Sequence, residues 1–545
     1  MKLKNLHRIA LVLGAAAIAG VVAMSAAPAG AQNREELRFT PDQKLRMAAG
    51  LIERFYVDTV NTDSIVTEAI VAMLKTLDPH SAYTSPKETQ ELTQPLEGHF
   101  SGIGVQFSIV RDTVMVVQTT ANGPSQKAGI LPGDRIVIVN DTVFTRPKMA
   151  NTDVIKVLRG PKGSVVNLDI KRAGSPELIR FRIVRDDIPI YSVDAAYMAA
   201  PEVGYIRVSR FAEDTPQEVD RALGKLKKQG MKHLIIDLED NTGGFLGAAY
   251  GLSSKFLNKG DLVVYTQGIH QDPAYLKVED PGKDGIDRLV IMVNQYSASA
   301  SEILSGAIQD HDRGVIVGRR TFGKGLVQRP FPFPDGSMIR LTTSRYYTPA
   351  GRSIQKPYEK GKGEEYQLDM LNRMQHGELF SADSIKFDKN QRFRTLRNGR
   401  TVYGGGGIMP DRFVPVDTSN YSVYYRDIIA KGVINKYVTD YIEQHRADLL
   451  RRYPTEDAFA AGYDAAPLLE GLVEAGEKEG VKREDEQIET SRKVLTAMLK
   501  GLLERDLYEN GAYIRAVNGL DPVFNEALRI ITSPEEYNSL LNPAK

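Results

Sequence analysis

The feature that most constrains this chain is a strand-like apolar run, Leu289 to Val293, that gives way to Ser297-Ala298-Ser299-Ala300-Ser301-Glu302 and then to the helical pattern Ile303, Leu304, Ala307, Ile308. The small residues therefore occupy a strand-to-helix turn. A side chain on such a turn stands near a helix N-terminus, where free N–H groups and the helix dipole favour developing negative charge. That environment suits a nucleophilic serine. A second stretch, Thr321-Phe322-Gly323-Lys324-Gly325-Leu326-Val327-Gln328, sets one lysine between two glycines. Glycine lets backbone approach another element closely, which can hold the amine away from bulk water. Burial lowers a lysine's pKa, and only the neutral amine is a general base. Holding it neutral near pH 7 takes about 4 kcal/mol of differential environment, so the pattern requires a deep apolar setting. Serine and lysine can then perform acyl transfer without histidine.

The flanking sequence, residues 188–415, alternates strand and helix patterns. Val203 to Val208 and His233 to Leu238 read as strands, and Pro216 to Gln229 and Leu246 to Leu257 as helices. Between them lies Asp237-Leu238-Glu239-Asp240-Asn241-Thr242-Gly243-Gly244.

Together the serine and lysine segments, with 25 residues from Ser299 to Lys324, resemble the signature of the carboxyl-terminal processing, or tail-specific, proteases. These are serine peptidases with a Ser-Lys dyad. The resemblance implies Ser299 as nucleophile, Lys324 as base and Gln328 as the residue whose amide oxygen orients the lysine. It also implies an oxyanion hole from Gly243 or Gly244 with the N–H of Ala300, and supporting roles for Asp310 and Thr321, against which stand a helix-end carboxylate and a loop hydroxyl. Glu239 stands where the family commonly has arginine and Thr242 where it has proline. The segment Leu77-Asp78-Pro79-His80-Ser81-Ala82-Tyr83 is similar to a family element preceding its PDZ domain, which makes His80 structural rather than catalytic. No cofactor is implied.

Residues 97–187 change to strand periodicity. Gly102-Ile103-Gly104-Val105 leads an alternating run to Ile109, and Gly129-Ile130-Leu131-Pro132-Gly133-Asp134 leads into Ile136 to Val139. This resembles a PDZ domain, with Ser101 to Val105 as the carboxylate-binding loop, Val105 to Ile109 as the edge strand and Thr152 to Leu158 as the other wall. Backbone N–H groups in a Gly-rich turn can hold a terminal carboxylate while the strand edge accepts the peptide. Arg159 matches a family position thought to link the PDZ domain to the protease core; a solvated turn arginine is the alternative.

The ends bound the rest. Lys2, Lys4 and Arg8 precede an apolar or small run from Ile9 to Met24, and Ala29-Gly30-Ala31 offers a cleavage site. Residues 1–31 thus read as a signal peptide and place the protein in the periplasm or outside the cell, with an uncleaved anchor as the alternative. No later stretch has about twenty consecutive apolar residues, so no integral membrane segment is expected in the mature chain. Residues 33–96 read as a helical arm with an apolar stripe of Leu45, Ala48, Leu51, Ile52 and Phe55, too short to stand alone. It should pack on a neighbour or a second protomer. Residues 359–400 are charged and lack periodicity, as in an insertion or mobile loop, and residues 419–545 read as helical.

The near balance of 70 basic and 69 acidic side chains supplies no field for nucleic acid, and the absence of cysteine excludes disulfides and thiolate metal sites. Ser353-Ile354-Gln355-Lys356 has the S-x-x-K spacing of penicillin-recognising enzymes, but no K-T-G accompanies it. The resulting expectation is a multidomain α+β protein: helical arm, β-rich PDZ domain, mixed α/β protease core (ClpP/crotonase-like) and helical C-terminal region. It should cut proteins recruited by apolar C-terminal tails, and its helical ends offer surfaces for homo-oligomerisation. The competing class is a noncatalytic PDZ adaptor.

Overall fold

The computed structural model describes residues 40–282 and 285–542; the signal-peptide reading of residues 1–31 lies outside them. The chain divides into two units, Met1–Ile70 and Val71–Lys545. In the first, Thr40 caps the helix Pro41–Phe55, and the Gln43 side chain accepts the Thr40 N–H at 3.0 Å. None of this helix's residues is buried, so its apolar stripe is exposed.

The second unit is built on a six-stranded sheet ordered Val193–Ala200, Val203–Val208, His233–Asp237, Leu289–Val293, Val315–Gly318, Arg412–Phe413. Its first pair is antiparallel and the remaining pairs are parallel. Both faces are covered, which is why Leu289–Val293 is apolar at every position and His233–Asp237 is apolar between its ends. On one face Leu234, Ile236, Leu289 and Ile291 pack with Val219, Leu252, Ile303 and Leu304 from the helices Thr215–Lys228, Leu246–Ser254 and Ala300–Asp310. On the other, Ile235, Val290, Met292 and Val315 meet Val523, Phe524, Ala527, Ile530 and Ile531 of the helix Pro522–Thr532. The C-terminal helices are therefore divided between two tasks. Those from Val423 to Leu507 bury their own core, while the last ones cover the second face of the six-stranded sheet.

A second, antiparallel sheet contains Ala82–Thr84, Leu262–Gly268, Gln271–Lys277, Leu326–Pro332 and Met338–Tyr347. It carries the strand that follows Lys324. In the PDZ domain, Val105–Val110 forms the edge of a sheet completed by Thr113–Thr119, Arg135–Val139, Val165–Lys171 and Ile179–Val184. This sheet contacts the C-terminal helices: Arg135 pairs with Glu443 at 2.7 Å, and Gln118 donates to the Arg505 carbonyl.

Segment 359–400, expected as an insertion or mobile loop, contains the helices Gly363–Gln367 and Asp369–Gln375 and the strand Arg392–Arg394, which pairs with Thr401–Tyr403 just beyond it. Its charges are anchors. Buried Arg373 donates to the carbonyls of Arg320 and Thr321 at 2.7 and 3.0 Å, and buried Arg400 pairs with Asp312 at 2.7 Å.

Candidate active site

The three serines of the small-residue turn have different fates. Ser297 Oγ donates to the Leu238 carbonyl at 2.7 Å and Ser301 Oγ to the Asn241 carbonyl at 2.8 Å. Ser299 Oγ alone of the three makes no hydrogen bond to a described residue. Ser299 is also the residue preceding the helix Ala300–Asp310, with φ 56° and ψ −110°. A non-glycine residue held there stores about 1–3 kcal/mol of strain, and it persists because the surrounding bonds over-determine it.

Glu302, one turn into that helix, supplies most of them. Its fully buried carboxylate accepts the N–H of Ser299 (2.8 Å), Lys324 (2.9 Å) and Gly323 (2.8 Å) and the hydroxyl of Thr321 (2.5 Å). Burial pushes its pKa up to about 7 against the opposing pull of these donors. Tyr346 strengthens the same junction by donating to the carbonyls of Ser299 and Lys324. The glycines beside Lys324 are required by packing. A Cβ on Gly323 would lie 3.0 Å from Lys356 Cβ, and one on Gly325 would lie 2.8 Å from the Gln355 nitrogen.

The Lys324 amine makes no ion pair or hydrogen bond to a described residue. Its pKa is pushed down to about 8, first by desolvation and then by the Arg340 guanidinium, while Glu302 and Asp78 oppose the shift. His80 lies close enough to feel Lys324. Burial, with Lys324 next, pushes it down to about 4, so it is neutral, and its Nε2 meets the Tyr366 hydroxyl at 3.0 Å. No hydrogen bond joins Ser299 Oγ to Lys324 Nζ. Nor does Gln328 reach the lysine: its amide nitrogen donates to the Leu326 carbonyl and to Thr342 Oγ1 at 3.3 Å, and Thr342 Oγ1 donates to Asp78 at 3.0 Å.

Gly243 presses on the Ser299 turn, where a Cβ would come within 2.8 Å of the Ala298 carbonyl oxygen and of Ser299 Cβ. Its N–H is committed to Asn241 Oδ1 at 2.8 Å. The N–H groups of Gly244 and Ala300 donate to no described residue. Of the supporting positions, Thr321 joins the Glu302 network, whereas Asp310 pairs with buried Arg352 at 2.5 Å and accepts the Ala350 N–H at 2.8 Å, holding the C-terminal end of the helix Ala300–Asp310 to the loop of residues 350–352. Glu239 is buried 3.4 Å from Arg319, and burial drives its pKa well up. In the PDZ loop Gly102 ends the strand His99–Gly102, Ile103 is buried, Gly104 has φ +72° and Val105 opens the edge strand. The amides of Ile103 and Gly104 donate to no described residue. Arg159 stacks 4.2 Å over Phe100 and donates to Gln94 of the helix Pro86–Glu97 at 3.4 Å, so it ties the PDZ domain to the preceding helix.

The model of Peptidase family S41 matches residues 202–361, that of the PDZ domain residues 101–194, and a family of unknown function (DUF8443) residues 424–509. A carboxy-terminal-processing protease of Bartonella bacilliformis is 34% identical over 306 residues, which cover 55% of this chain and 69% of the relative. The carboxy-terminal processing protease CtpB of Bacillus subtilis is 32% identical over 402 residues, covering 71% and 80%. This chain belongs to the carboxy-terminal processing proteases. A solved photosystem II D1 C-terminal processing protease is 29% identical, with 58% of this chain and 91% of that one covered and a TM-score of 0.33.

In this carboxy-terminal processing protease, Glu302 and Arg340 are the site residues that sequence reasoning missed. Glu302 left one signal, a glutamate three residues after a serine at a helix start, which is the spacing of a capping box. Among the described residues, no helix is long and apolar enough to cross a membrane.

Proposed function

We propose that this protein is a serine endopeptidase that hydrolyses peptide bonds near the C-termini of protein substrates, with Ser299 as nucleophile and Lys324 as general base, and with apolar tails recruited or gated through the PDZ loop Gly102–Val105. The observation that carries the reading is a lysine amine pushed down to about 8 on a loop that Glu302 ties to the strained Ser299 turn.

The neutral Lys324 amine takes the Ser299 Oγ proton as Oγ bonds to the scissile carbonyl carbon. The resulting oxyanion is met by the N–H groups of Ala300 and Gly244, which donate to no described residue, with Gly243 shaping the cleft. Such prepositioned donors act without reorganising, and losing one typically costs about 3–4 kcal/mol of barrier. Collapse breaks the C–N bond, and the Lys324 ammonium returns its proton to the departing amine. Water, activated by the same lysine, then releases the acyl group. The unbonded Ser299 and Lys324 side chains come into hydrogen-bond contact when substrate excludes water, as catalytic pairs that are loose in the free enzyme do. Gln328 acts through Thr342 and Asp78, the carboxylate that opposes the fall in the Lys324 pKa.

Mass spectrometry of a folded protein with an apolar C-terminal tail, incubated with the mature chain, Ser299→Ala or Lys324→Ala, tests the reading. Trimming by the wild type alone supports it. Equal trimming by all three moves the catalytic site elsewhere, and an intact substrate that remains bound favours a PDZ adaptor. We further propose a periplasmic or secreted location, checked by N-terminal sequencing of the exported chain.

A further inference from the structure

Arg340 is a cation with no counter-charge among the described residues. It lies on the strand Met338–Tyr347, opposite Pro330 on one neighbouring strand and Ala82 on the other. Thr342, two residues on, is opposite Gln328 with no bulge between, so Arg340 projects from the same sheet face as Thr342 and Gln328. Its Nε is buried with no hydrogen-bond partner, and its guanidinium pairs with no carboxylate among the described residues. Asp78 reaches this face, but its oxygens already accept the N–H groups of His80 and Ser81 and the hydroxyls of Ser81 and Thr342. Glu302 is enclosed by its own four donors. Arg340 is nevertheless close enough to Lys324 and His80 to oppose protonation of both.

Arg340 is half-buried, its Nε–H left without an acceptor is costly, and the planar fork of guanidinium donors matches a carboxylate. We propose that Arg340 is a specificity residue that receives a carboxylate of the substrate chain on the Lys324 side of the cleavage site, where the leaving fragment departs. This inference rests on the hydrolase reading above. A substrate cut near its end brings two sources of that group: the free α-carboxylate of the tail and an acidic side chain within it. Either would fill the vacant charge position beside the dyad. It is separate from carboxylate capture by the PDZ loop, because Arg340 lies on the protease sheet.

The test uses the full-length enzyme and four peptides of one apolar sequence: C-terminal acid or amide, each with glutamate or glutamine at one position in the leaving fragment. Values of kcat/KM are compared for wild type, Arg340→Lys and Arg340→Gln. Removing a cation beside Lys324 raises the lysine's pKa, so rates are read on the alkaline plateau, at about pH 9.5. On a carboxylate-bearing peptide, Arg340→Gln should lose about ten- to a hundredfold more than on the neutral amide, with Arg340→Lys intermediate. A differential confined to the free acid assigns the α-carboxylate, and one confined to glutamate assigns the side chain. Equal losses on all four peptides overturn the inference while leaving the hydrolase intact. Failure of the wild type to cut any peptide overturns the hydrolase reading and this inference with it. Thermal melting of Arg340→Gln separates lost recognition from lost folding.

Discussion

Glu302 Oε2 accepts the N–H of Lys324 at 2.9 Å and the N–H of Ser299 at 2.8 Å, so a single carboxylate oxygen holds the lysine loop to the serine turn. Glu302→Ala would leave the buried Gly323 N–H, the part-buried N–H groups of Ser299 and Lys324 and the Thr321 hydroxyl without this acceptor. At about 1–3 kcal/mol for a buried group left unsatisfied, the expected destabilisation is about 3–5 kcal/mol after relaxation. Urea unfolding should show it, and the fraction that stays folded should lose at least about a hundredfold in kcat. Full activity in a folded Glu302→Ala protein would remove Glu302 from this role.

The acid limb of kcat/KM should lie near pH 8, where Lys324 loses its proton. Because this pKa lies below the unfolded value of 10.5, the unfolded chain binds more protons between about pH 8 and 10.5. Stability therefore gains a contribution as pH rises through that window, and Lys324→Met should abolish it. Lys324→Arg, charged at every working pH, should be inactive across the profile. Chemical denaturation at several pH values and a pH–rate profile check both statements.

Glu302 titrates with the opposite consequence. Its pKa, raised from 4.5 to about 7, means that the folded state binds the extra proton between those values, so its contribution to stability falls as pH rises through that interval. Glu302→Gln should flatten that slope in denaturation measured between about pH 4.5 and 7.

Gly243→Ala would set a methyl group 2.8 Å from the Ala298 carbonyl oxygen and from Ser299 Cβ, on a backbone with φ +102°. The turn must shift to accept it. Displacing the nucleophile by about 1 Å costs on the order of a hundredfold, so kcat should fall by that much with KM little changed, as read in steady-state peptide hydrolysis.

Arg373→Ala removes the buried guanidinium that holds the Arg320 and Thr321 carbonyls. Hydrogen exchange should quicken at the amides of Gly323 and Lys324, and activity should drop about tenfold or more as the lysine loop loosens. Unchanged exchange there would mean that segment 359–400 covers the site without bracing it.

The sequence alone determined the small-residue turn at Ser299, the glycine-flanked Lys324 segment, the Gly102–Val105 turn and the alternation that builds the six-stranded sheet. Each of these is local: small residues at a strand-to-helix turn, glycines where backbone must approach backbone, and apolar pentads such as Leu289 to Val293 that suit only a doubly covered strand. Only the tertiary structure decided which hydroxyl of Ser297, Ser299 and Ser301 is left unbonded, because the partners of the other two, Leu238 and Asn241, lie about sixty residues upstream. The same holds for the docking of Pro522–Thr532 on the sheet, the anchoring of 359–400 and the isolation of Arg340. Periodicity records which face of an element is apolar, but not which distant element will cover it, and a charged residue carries no sequence mark of whether its counter-charge is present. Those outcomes depend on contacts between residues far apart in the chain, and the surroundings of Ser299 and Lys324 are made of such contacts.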